Sequence, residues 1–106
     1  MAFRRHYFYE FAEELRASLR ATIPNRIADF SDDQLHAEII RLIELFHRHE
    51  IKSKKNIQRL VYLRFVHPKC LTEPLPRTTL FELTFPDKSE EDKTNELFFT
   101  VMAQNE

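Results

Sequence analysis

Arg48, Lys52, Lys54, Lys55, Arg59 and Tyr62 are the densest group of chemically capable side chains in this 106-residue chain. Five cations and a phenol in so short a stretch suit the recognition of an anion. Ser53-Lys54-Lys55-Asn56 reads as the start of a helix, where unpaired backbone N–H groups and the macrodipole already favour negative charge. Asp or Glu belongs there, each contributing about 0.3–1 kcal/mol. Lysines in that position break a local rule, and local rule-breaking points to function. Three readings fit the cluster: a solvated basic face, a surface complementary to an acidic protein partner, or a nucleic-acid contact. In the last, a small DNA-binding regulator would use a helix-turn-helix with Lys54, Lys55, Asn56 and Arg59 at base edges. The preceding helix is about twice the length usual for that motif, the turn has no glycine, and the net charge is −1, all of which count against nucleic acid.

Other constellations have plainer explanations. Glu44-Leu-Phe-His47 matches the Glu-x-x-His element of di-iron bundles, but those sites need a second copy and two further carboxylates, and the chain has no second copy. His47 and His49 are two apart and diverge on a helix. Cys70 follows Pro68-Lys69 in a loop; Lys69 would lower its pKa, yet His67 alone is no triad, and a partly buried structural thiol is the simpler reading. Glu13-Glu14 and Glu90-Glu91 read as a solvated face and a helix cap. Glycine is absent altogether, so no phosphate loop, dinucleotide fingerprint or nucleophile elbow can be written. Catalytic residues, metal and cofactor are therefore not expected.

The elements that position the basic cluster follow from apolar spacing. Phe8, Phe11, Ala12, Leu15 and Leu19 share one face of a helix over about 3–22, with Glu10, Glu13, Arg16 and Arg20 on a solvated face. Pro24 suits a short helical connector. Ser31 and Gln34 form a capping box, Asp32 and Asp33 match the macrodipole, and Leu35, Ile39, Leu42, Ile43 and Phe46 give the buried stripe of the second helix. About three residues, Glu50 to Lys52, separate it from a third helix over about 53–66 that buries Ile57, Leu60, Val61 and Phe65 and ends at Pro68. Without glycine, polar residues must close the helices, at a cost of about 1 kcal/mol. Residues 69–79, with two prolines, read as an extended loop. Residues 79–85 would allow a strand, but a lone strand has nothing to pair with, so a short helix is the better reading. Ser89-Glu-Glu-Asp92 caps a final helix.

The order Phe11…Leu15…Ile23-Pro24, then Ser31-Asp-Asp-Gln-Leu35…Ile39, then Ile51-Lys-Ser53-Lys-Lys-Asn-Ile57…Leu63…Phe65 resembles small helical accessory proteins encoded beside type VI secretion spike and effector genes in proteobacteria. The resemblance runs from Phe8 to Leu83. That family has Gly where this chain has Glu50, and Trp near Leu80 or Phe81. It implies a non-enzymatic protein that binds a secreted effector or toxin, as loading chaperone or as immunity protein, and it carries over no site residues.

Charge is unevenly distributed: net −2 over residues 1–40, +6 over 41–69 and −5 over 70–106. Such a dipolar surface suits steering toward a protein partner. One cysteine permits no intramolecular disulfide, no apolar run reaches the roughly 18 residues of a spanning helix, and the N-terminus lacks an apolar h-region. The expectation is a cytoplasmic, all-α single domain over 1–106, with four to five helices around a central helical hairpin. It would work by binding a protein partner, with Tyr7, Tyr9, Arg59, Tyr62 and Phe81 as anchors, and with no membrane contact.

Overall fold

The computed structural model describes the backbone of residues 2–104 and the side chains of residues 7–103. Among these residues the chain is all-α: α1 (Ala2–Thr22), α2 (Asp32–Arg48), α3 (Lys54–Val66), α4 (Arg77–Thr84) and α5 (Glu90–Gln104), with 3-10 turns at Pro24–Arg26 and Pro68–Cys70 and no strand. It divides into two compact units, Met1–Leu45 and Phe46–Glu106.

In the first unit, α1 buries Phe8, Phe11, Ala12, Leu15 and Leu19, and α2 buries Leu35, Ile39, Leu42, Ile43 and Leu45, the faces their spacing requires. The capping box closes in both directions, Gln34 N–H donating to Ser31 Oγ (3.1 Å) and Ser31 N–H to Gln34 Oε1 (2.9 Å). Arg16 and Arg20 do more than face solvent. Arg20 donates to the carbonyls of Ile27 (3.1 Å) and Phe30 (2.9 Å) and to Asp32 Oδ1 (3.0 Å), and Arg16 Nη1 lies 3.3 Å from the same carboxylate oxygen. One guanidinium thus satisfies connector carbonyls that no helix can pair, while holding the acid of the first turn of α2. These cations, Arg20 first, hold the Asp32 carboxyl below its usual range. Arg16 does the same to Glu13, whose Oε1 lies 3.0 Å from His36 Nδ1 without hydrogen-bond alignment.

In the second unit, α2 ends in a Schellman motif built without glycine. Ile51 N–H donates to the Phe46 carbonyl (2.9 Å) and Glu50 N–H to that of His47 (3.1 Å), while Glu50 takes the left-handed conformation at φ 65°. Phe46 and Ile51, both fully buried, occupy the two positions whose apolar contact normally accompanies this motif. Residues 79–84 are helical, within α4, which begins earlier than expected, at Arg77, and Phe85 is its extended C-cap; Thr79 Oγ1 donates to the Cys70 carbonyl (2.7 Å), fastening the proline loop to that helix. Helix α5 packs against both α3 and α4. Lys88, in the α4–α5 connector, donates to Glu82 (3.0 Å) and to Glu96 and lies 4.8 Å from the Phe85 ring centroid.

Candidate functional site

The turn between α2 and α3 brings the tail of one macrodipole beside the head of the next, and α5 supplies an ion for each. Ser53 caps α3, accepting from Asn56 N–H (3.4 Å). The N–H groups just before the helix, those of Lys52 (2.8 Å) and Ser53, both donate to Oε1 of Glu90. The acid missing from the sequence of α3 is therefore delivered by the first turn of α5. Three residues further along α5, Lys93 is only 7 % exposed, and its Nζ donates to the His49 carbonyl (3.0 Å) just past the C-terminus of α2, where a cation is favoured. A Glu and a Lys at i, i+3 share a helix face; here they reach the two ends of one turn. Burial, then Lys93 and Arg48, disfavour the charged imidazolium, so the His49 pKa is lowered.

Around this turn Arg48, Lys52, Lys54 and Lys55 are all exposed. Lys52 Nζ lies 3.1 Å from Glu50 Oε2 and holds that carboxyl below its usual range. Arg59 is half-buried: Nη1 donates to Asn95 Oδ1 (2.8 Å), and the guanidinium lies 5.5 Å from the Phe98 centroid. Tyr62, 40 % exposed, stands one turn beyond Arg59 on the outer face of α3. The structure therefore places all six side chains along the turn and one helix face, with Arg59 committed to α5. Asn56 is interior, at 2 % exposure, and its Oδ1 has no hydrogen-bond partner; a base edge is out of its reach in this conformation.

Sequence reasoning missed Glu90 and Lys93. Glu90 was explained completely by its own helix cap, and nothing local marks Lys93 as interior. It also missed Phe99, 78 % exposed beside the buried Leu97 and Val101. Phe81, expected as an anchor, is 57 % exposed in α4. Tyr7 and Tyr9 lie on α1 in the first unit, 36 % and 56 % exposed, with the Tyr9 ring 4.6 Å from that of His36.

Cys70 lines an open cavity of about 390 Å³ together with His67, Lys69, Pro76 and Thr79. Burial pushes its thiol up to about 11, opposite to the lowering expected from Lys69, because desolvation of a thiolate outweighs an exposed ammonium. A thiol so raised is held in its protonated, weakly nucleophilic form at neutral pH. Among the described residues, no three His, Cys, Asp or Glu side chains converge as metal ligands, and no helix is long and apolar enough to cross a membrane. Comparison with protein-family models, with curated proteins and with solved structures finds no match to this chain.

Proposed function

We propose that this chain is a non-enzymatic, protein-binding accessory protein, acting on a bacterial secreted effector or toxin as immunity protein or loading chaperone, and that the α2–α3 turn is its recognition surface. One observation carries the reading. Glu90 already meets the need of the α3 N-terminus for an anion, yet Arg48, Lys52, Lys54 and Lys55 still face solvent around it. Solvent-facing cations that helix capping does not require suit fast, salt-dependent association with an acidic surface, and Tyr62 beside them supplies an aromatic anchor.

The test is co-expression with the product of the neighbouring open reading frame, followed by affinity capture and measurement of association rates at two salt concentrations. Wild type captures that product. The Lys54→Glu plus Lys55→Glu variant, folded by circular dichroism, associates at least about tenfold more slowly at low salt. Capture by the variant at the wild-type rate would remove the turn from the interface. Failure of wild type to capture would remove the effector reading itself.

A further inference from the structure

Charges of opposite sign flank α5 at the same height. On its α3 side, Arg59 is bonded to Asn95 and lies over Phe98. On its α4 side, Glu96, the next residue, has a half-exposed side chain (51 %) and shares Lys88 with Glu82. Between these flanks, facing outward, run Asn95, Phe99 and Met102, all exposed. The apolar surface continues across Thr100 to Phe81 of α4, since both residues line one shallow groove. With aromatic side chains of roughly 200 Å² each, the 78 % and 57 % exposures of Phe99 and Phe81 leave roughly 270 Å² of ring surface in water. Met102, 42 % exposed, extends this surface along α5 to the size of the largest apolar patch on a typical monomer, which is often a functional one.

We propose that this face binds a second copy of the chain, as a two-fold dimer whose axis runs close to the direction of α5. Symmetry singles out that arrangement. A two-fold axis along α5 preserves the height of every residue and exchanges the flanks, so Arg59 of each copy meets Glu96 of the other while the two Phe99 rings meet near the axis. An axis in the same plane but perpendicular to α5 lays α3 on α3 and α4 on α4, like charge on like. Level with Glu96 the α4 flank is net negative, because Lys88 is one cation against two carboxylates, and the exposed Arg77, which lines the groove with Phe81 and Thr100, lies more than one turn of α4 from Glu82. The α3 flank is positive, with Lys55 one turn before Arg59. The exposed acids Glu91 and Asp92 in the first turn of α5 would oppose their own copies in strictly parallel helices. Tilting each α5 from the axis by half of a crossing angle of about 20–50°, pivoting at Phe99, parts them. A helix of 15 residues is about 22 Å long, so the interface belongs to the small class and the dimer dissociates in the micromolar range.

Sedimentation equilibrium of the full chain across that range tests this directly, with circular dichroism confirming that each variant is folded. Wild type passes from one chain mass to two as concentration rises, and Phe99→Asp stays at one. Arg59→Glu and Glu96→Lys each weaken the dimer at least about tenfold, and their combination, which restores opposite charges across the axis, recovers most of the loss. A wild type that remains at one chain mass throughout, a Phe99→Asp variant that still dimerises, or a charge-swapped double variant no better than the singles would each overturn the proposal.

Discussion

Replacing Glu90 separates two accounts of the α2–α3 turn. If its carboxylate caps α3 from α5, Glu90→Ala strands the N–H groups of Lys52 and Ser53. Water can reach the first, at an exposed residue, but the second is partly buried. A hydrogen bond to a charged group contributes about 1.5–3 kcal/mol, so with one of the two largely replaced by water the loss is about 2–3 kcal/mol. Glu90→Gln keeps the acceptor oxygen and loses only the charge, at about 1 kcal/mol for a helix-end interaction. Lys93→Met behaves differently, although it deletes the more buried ion. The carbonyl of His49 loses its donor, costing about 1–3 kcal/mol. Relief of burying an ammonium, itself worth several kcal/mol before compensation, offsets this, so the variant stays within about 1 kcal/mol of wild type. Urea unfolding at pH 7 reads all three. With a slope of about 1–1.5 kcal/mol per molar for a chain of this size, Glu90→Ala lowers the midpoint by about 2 M, Glu90→Gln by under 1 M, and Lys93→Met by less than either or not at all. A Glu90→Ala midpoint indistinguishable from wild type, or Glu90→Gln as damaging as Glu90→Ala, would refute the capping argument.

Glu50→Gly relieves a side chain held at φ 65° and raises the melting temperature by about 2–5 °C, net of the added freedom of the unfolded chain. Arg20→Ala removes the side-chain donor of the Phe30 carbonyl and one of the two donors of the Ile27 carbonyl, which keeps the Phe30 N–H, and costs about 1–2 kcal/mol, measured by the same urea titration. Cys70 resists alkylation at pH 8 in the folded protein and reacts readily in denaturant. Because burial raises its pKa to about 11, folding stability falls as pH climbs from the ordinary thiol value toward that figure, where only the unfolded chain gives up the proton. Acid acts in two stages. His49, lowered by burial, binds a proton first in the unfolded chain, so stability declines as pH drops below the ordinary histidine value. Asp32, Glu13 and Glu96, lowered by Arg20, Arg16 and Lys88 respectively, contribute stability that is full above the ordinary carboxylate range and disappears as pH falls through their lower folded values. Thermal melts from pH 8 to pH 3 resolve the two windows, and a melting temperature flat between pH 7 and 5 would contradict the assignment to His49.

Helices are local objects, and their signals here were local. The Ser31–Gln34 box, the apolar stripes of α1 and α2, and the absence of glycine together predicted where α2 begins, which faces it buries and that a polar residue would close it. Glu50 in the left-handed region is that residue. A short helix at 79–85 was legible by elimination, since an isolated strand leaves its backbone unpaired, but its start at Arg77, inside the stretch read as loop, was not. The lysines at the start of α3 were also legible as a local contradiction, but not its resolution. Glu90 and Lys93 are far along the chain from the turn they serve, and the spacing that makes them useful is measured between helices rather than along one. For the same reason Arg20 reads as a surface charge until Ile27, Phe30 and Asp32 are folded around it. Periodicity tells which residues a helix can bury. Only the packing of α5 between α3 and α4 decides which ones it does, because burial and the pairing of dipole ends depend on distances that the order of residues does not contain.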